Sequence, residues 1–197
     1  MLGKLLTGPG ARTAEGTGRE AALLAQVERG DREAFAQLYR AYFPRLVRFL
    51  DRMTRNATLI EEIVNDTMLV VWQRADSYDH SSKVSTWIFA IAYRKALKAL
   101  SRLDVPVKSE PDELPADAAL QPEAAFSLHQ LQDRVARALD ALPPAQRTVV
   151  NLACYHGMGY DEIASIMECP VNTVKTRMFN ARARLRLLLG TELEVQA

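Results

Sequence analysis

The chain has 197 residues, 25 Lys and Arg against 24 Asp and Glu, and a formal net charge of +1. That length suits one ordinary domain or two small ones, and 48% hydrophobic with 25% charged residues is a globular composition. The near-neutral balance excludes attachment to nucleic acid by bulk charge, so such a role must come from local patches.

Residues 1–18 are expected to be a disordered tail, because Lys4 and Leu5-Leu6 give way at once to Gly, Thr and Pro. The apolar stretch of a signal peptide is missing. No apolar run reaches the roughly 18 residues of a membrane span. Phe35, Leu38, Tyr39, Tyr42, Leu46, Val47 and Leu50 recur at helical spacing, with Asp31 as a plausible N-cap. The stretch Leu59 to Arg74 reads as a second amphipathic helix with Ile60, Ile63, Val64, Val70 and Val71 inward. Its other side mixes Glu61, Glu62, Asn65 and Asp66 with Met68, Leu69 and Trp72. Such a face suits docking of a basic protein partner, since apolar groups supply buried area and acids steer the encounter. Equally, Leu69 and Trp72 could meet another helix of the same domain.

The next helix, Trp87 to Leu103, is expected to be capped by Ser85-Thr86. Phe89, Ala92, Tyr93, Ala96, Leu97 and Leu100 share the buried side, and Arg94, Lys95, Lys98 and Arg102 share the other, with Trp87 and Ile91 at its N-terminal end. Cations beside rings are what single-stranded DNA needs, though a solvated charged face with Trp87 in the core has the same pattern. From Asp104 to Glu123 the chain is acidic and holds Pro106, Pro111, Pro115 and Pro122, which marks a flexible linker. It separates two helical blocks of roughly 85 and 65 residues, each within the range that folds alone.

In the second block Pro144 opens a helix, and Arg147 to Tyr155 supplies an apolar stripe. Tyr160 to Met167 is a short amphipathic helix, Glu168-Cys169-Pro170 a tight turn, and Val171 to Leu189 a basic helix. Its apolar stripe is Val171, Val174, Met178, Ala181, Leu185, Leu188 and Leu189. Opposite lie Asn172, Thr173, Thr176, Asn180 and Ala183, between a row of Lys175, Arg182 and Arg186 and a row of Arg177 and Arg184, with Phe179 at one edge. Helix, turn and basic helix form a helix-turn-helix plan, in which short polar groups reach base edges and the cations hold phosphates on both walls of a major groove. The fold class expected is all-α, in two small helical domains.

Six segments taken together resemble the extracytoplasmic-function sigma factors, specificity subunits of bacterial RNA polymerase. They are Gly30 to Phe35, Ile60 to Thr67, Ser85 to Arg94, Leu142 to Arg147, Tyr160 to Ala164 and Asn172 to Arg177. The resemblance implies a region 2 domain over 19–103, an acidic linker over 104–124 and a region 4 domain over 125–192. It places Glu62, Asn65, Asp66 and Leu69 against the core polymerase. It places Tyr78, His80, Ser81, Lys83, Trp87, Arg94, Lys95 and Lys98 at the minus-10 element, where a non-template base is flipped out and captured. It places Thr173, Lys175, Thr176, Arg177, Phe179, Asn180 and Arg182 at the minus-35 duplex. Asn180 stands where relatives commonly carry a basic residue, and Asn pairs with adenine rather than guanine. An extended linker of about twenty residues reaches ~70 Å, about two turns of DNA. The resemblance also implies an anti-sigma factor as partner, with no cofactor and no direct membrane insertion.

A stand-alone regulator that binds a palindrome as a dimer is the competing reading, but it needs a dimer interface or ligand pocket in the first block. No nucleophile–base pair, phosphate loop or two-carboxylate cleft marks an enzyme. Cys154 and His156 form at most half a zinc site, with Cys169 and His129 required to converge on it; a core cysteine is the simpler account. Two cysteines make no disulfide framework, so a reducing, cytoplasmic setting is expected.

Overall fold

The computed structural model describes residues 14–103 and 128–190, and within them the side chains of 16–103 and 133–190. Among the described residues every regular element is helical. The first half holds α1 (Ala14–Glu28), α2 (Arg32–Asp51), α3 (Ala57–Gln73), a 3-10 turn (Ala75–Ser77) and α4 (Val84–Arg102). The second holds α5 (Leu128–Asp140), α6 (Pro144–Val150) running on into a π-helical turn (Asn151–Tyr155), α7 (Tyr160–Met167) and α8 (Val171–Gly190). Residues 1–13, the acidic 104–124 segment and residues 191–192 lie outside the described part.

Local chemistry sets most boundaries. Gly30 takes a left-handed φ of 85° between α1 and α2, a conformation that favours glycine. Asp31 then caps α2, its carboxylate accepting from the amides of Glu33 at 2.9 Å and Ala34 at 3.1 Å. The apolar series of α2 buries Leu38, Tyr42, Leu46, Phe49 and Leu50, and the helix runs through Pro44. Asn56 caps α3 by accepting from the Leu59 amide at 3.1 Å. Pro144 occupies the first turn of α6, where a missing N–H costs nothing.

Five expectations need correction. Helix α1 begins at Ala14, inside the stretch expected to be tail, because burial of Leu24 and Val27 and the Glu20–Arg45 ion pair anchor it to α2. Met68, expected outward on α3, is 1% exposed. Ile91, expected on the basic side of α4, is 6% exposed. Ser85 and Thr86 do not cap α4; both are buried inside its first turn, and Lys83 holds the cap position without a side-chain bond. On α8 the apolar stripe fades, and Leu188 is exposed.

The cause of the α4 corrections is tertiary. Helix α3 packs on one side of α4 and α7 on another, so α4 has two buried faces where a single-helix wheel supplies one. A contiguous apolar core runs from Leu24 to Ala181 through both halves. The two halves therefore meet rather than hang apart.

Candidate nucleic-acid and polymerase interfaces

Helix α3 presents Glu62, Asn65, Asp66 and Leu69 outward, and Leu69 is 51% exposed despite its apolar side chain. Asn65 is oriented by the Tyr39 hydroxyl, which donates to its Oδ1 at 2.9 Å. Asp66 Oδ2 receives Lys95 Nζ from α4 at 2.9 Å. Trp72 is half-buried and meets Phe35 edge-on with ring centroids 5.2 Å apart, so it serves the domain's own packing. Of the outward face read from sequence, Met68 and Trp72 thus belong to packing, while the acids and Leu69 stay exposed.

The loop before α4 is ordered by its own side chains. Asp79 Oδ1 accepts from the Ser81 amide at 3.0 Å and its hydroxyl at 2.7 Å, an Asx turn that also holds the Asp79 carboxyl below its ordinary range. Tyr78 donates its hydroxyl to the Ser82 carbonyl at 2.5 Å. Its ring meets His80 at 4.6 Å and Trp87 at 5.6 Å between centroids. His80 takes a left-handed φ of 58°, which turns the chain at the loop tip. Burial pushes the Tyr78 phenol up, so it stays protonated as a donor. Tyr78, His80, Ser81 and Trp87 are brought together; Arg94, Lys95 and Lys98 continue along α4, and Lys98 lines a groove with Asp66 and Arg102.

The second candidate interface is α8. Its inward Val174, Met178 and Ala181 seat it against α6 and α7. Ala164 is buried on α7, and Glu168 ends α7 in a left-handed φ of 51°. The Pro170 carbonyl accepts the Thr173 amide at 2.9 Å, starting α8. Lys175, Thr176, Phe179 and Arg182 are exposed, Phe179 by 71%; Thr173 and Asn180 are half-buried at the edge. Arg177 is half-buried. Its Nη1 donates to Cys169 Sγ at 3.5 Å, and its charge acts on Tyr93 of α4.

Cys154 is half-buried, and burial pushes its thiol up despite the opposing charge of Arg182. Among the described residues no group of three His, Cys, Asp or Glu side chains is placed to hold a metal ion. His129 lies where side chains are not described.

Sequence reasoning missed the seam between the halves. Thr86 donates its hydroxyl to Glu162 Oε1 at 3.0 Å, and Lys83 Nζ lies 3.2 Å from the same oxygen. Arg94 Nη1 meets Glu168 Oε1 at 2.8 Å. Asn151 donates to the Phe49 carbonyl at 3.2 Å, and His156 stands edge-on to Phe49 and Phe89. Glu162 also accepts the Gly159 amide at 2.9 Å, which satisfies a free amide at the start of α7. Burial raises the Glu162 carboxyl, but the Gly159 amide, Lys83 and Thr86 outweigh it and hold the group below its ordinary value. A carboxyl lowered by folding stabilises the fold above its unfolded pKa and loses that effect as pH falls through the folded one. Unfolding of Glu162→Gln in urea is therefore expected to show its full deficit at neutral pH, with the difference from wild type shrinking below about pH 4. A deficit that stays constant down to acid would remove the charge from this role.

The family model for "Sigma-70 region 2" matches residues 38–104, and that for "Sigma-70, region 4" matches residues 132–185. Both halves thus have the class of a polymerase specificity subunit. ECF RNA polymerase sigma factor RpoE of Cereibacter sphaeroides is 33% identical over 159 residues, 79% of this chain and 86% of that protein. SigK of Mycolicibacterium vanbaalenii, also an ECF RNA polymerase sigma factor, is 31% identical and covers 96% of this chain and 99% of its own. Among solved structures, CnrH in complex with the cytosolic domain of CnrY has a TM-score of 0.65 at 25% identity, covering 88% of this chain and 98% of that one. The sigma factor RpoE of Bartonella quintana, crystallised with the anti-sigma factor NepR, has a TM-score of 0.61 at 28% identity, covering 79% and 96%. The chain belongs to the extracytoplasmic-function sigma factors, and it directs promoter-specific initiation by RNA polymerase. The stand-alone dimeric regulator is not favoured. No helix among the described residues is long and apolar enough to cross a membrane.

Proposed function

We propose that three surfaces divide the work of this sigma factor. The outward face of α3, with Glu62, Asn65, Asp66 and Leu69, docks on the core polymerase. The Tyr78–Lys83 loop and the Trp87, Arg94, Lys95 and Lys98 positions of α4 take the non-template strand of the minus-10 element. Rings accept unstacked bases there and cations hold the backbone. Helix α8 enters the minus-35 major groove, with Thr173, Thr176, Phe179 and Asn180 toward base edges and Lys175, Arg177 and Arg182 toward phosphates. Residues 19–103 and 125–192 act as the two DNA-reading domains, and 104–124 spans the polymerase between them. The chain works in the cytoplasm without chemistry of its own, and an anti-sigma factor restrains it, as NepR accompanies the Bartonella relative.

The observation that carries this reading is the pairing on one chain of an exposed reading face on α8 with an apolar and acidic face on α3. Co-elution with bacterial core polymerase, followed by transcription from a promoter library, tests it. Binding with promoter-selective initiation is expected; failure to bind core would overturn the roles of α3 and α4. Lys175→Ala is expected to weaken binding of the selected minus-35 duplex and to flatten its salt dependence by a slope of about one. An unchanged slope would place Lys175 off the phosphates.

A further inference from the structure

We propose that the free protein holds a self-covering closed state, in which α7 masks the minus-10 reader and leaves the minus-35 reader open. The inference rests on the assignment of Lys83 and Arg94 to the minus-10 strand. In the structure both cations are occupied by carboxylates of the other half: Lys83 by Glu162 at 3.2 Å, and Arg94 by Glu168 at 2.8 Å. Thr86, at the start of the same helix, also donates to Glu162. A cation that closely pairs a carboxylate is not available to a phosphate, so seam and single strand exclude one another at these positions.

Exposed ion pairs contribute little adhesion of their own. The adhesion comes from the apolar part of the seam. His156 lies edge-on to Phe89 at 4.8 Å and to Phe49 at 6.0 Å between ring centroids, the core is continuous across both halves, and Asn151 fixes the register on the Phe49 carbonyl. At the far end Asp140 of α5 gathers Arg52 and Arg55 from the first half and Arg147 from its own. The covering is selective. Lys175, Thr176, Phe179 and Arg182 stay exposed while α7 sits on α4. The closed molecule can therefore still meet duplex DNA through α8, but it must part the seam before it takes a single strand.

The test uses the full chain and two kinds of variant. Glu162→Gln/Glu168→Lys removes both carboxylates while a glutamine keeps an acceptor for the Gly159 amide. His156→Ser removes the ring contact. Small-angle scattering reads the radius of gyration, and fluorescence anisotropy reads binding of a mixed-sequence single-stranded oligonucleotide and of a mixed-sequence duplex. Both variants are expected to expand the molecule and to bind the single strand roughly five- to tenfold more tightly, a gain of the size expected for two released exposed pairs. Duplex binding of His156→Ser should stay within about twofold. No expansion and no gain in either variant would overturn the closed state. Expansion with single-strand binding that is indifferent to adding Lys83→Ala/Arg94→Ala would instead overturn the assignment of those cations, and the masking with it.

Discussion

Phe89→Ala is expected to cost about 3–5 kcal/mol, the range for truncating a fully buried aromatic. The ring is wholly buried in α4. It tilts against Phe49 at 5.2 Å, meets His156 at 4.8 Å and lies 5.3 Å beneath the Arg45 guanidinium. Its loss empties a volume that helices of both halves share, so neither half can close the cavity alone. Such a cost is a large part of the stability of an ordinary domain. Urea unfolding followed by circular dichroism should show the midpoint fall in one transition spanning both halves. Phe89→Leu, which conserves most of the volume, should cost under about 1.5 kcal/mol. A loss of less than about 1 kcal/mol for the alanine variant would mean that the site collapses freely, contrary to the packing described.

Asp66→Arg is expected to weaken binding of core polymerase by at least about tenfold while changing minus-35 duplex binding by less than about twofold. Asp66 is exposed on α3, next to Asn65 and one turn from Leu69, and an acid there steers a basic partner that an arginine would repel. The substitution also removes the acceptor that Lys95 now uses and sets two cations side by side. Titration of labelled core polymerase and of a promoter duplex on the same preparation separates the effects. Equal losses in both would mean a folding defect rather than a docking contact. Leu69→Ala, which alters no charge, should reduce core binding in the same direction.

Much of the architecture was legible because it is local. The α2 stripe with its Asp31 cap, and the α7–turn–α8 unit, follow from spacing and capping chemistry that neighbouring residues determine. Helix α4 was legible only in part. A wheel assigns one buried face, yet α4 also packs on α7, where Thr86 bonds Glu162 some seventy residues onward in the sequence. The same separation hid the partners of the candidate site. Lys83, Arg94 and Lys98 read equally as cations for phosphate, but the structure gives carboxylates of the other half to the first two and leaves Lys98 exposed. Met68 failed for a related reason: α3 packs against both α2 and α4, so its buried arc is wider than one partner would make it.

The π-helical turn at Asn151–Tyr155 acts as one extra residue inserted into an otherwise α-helical segment. Side chains after it are displaced by about 100° from where the Pro144–Val150 phase would carry them. That rotation bears on His156, which follows the turn directly and reaches Phe49 and Phe89. Alignment of this chain with a relative whose helix is α throughout should therefore place a one-residue gap within 151–155. Deleting a single residue there would return the helix to one phase and swing the 156 position off the aromatic pair, breaking the joint between the halves without altering any residue proposed to contact DNA.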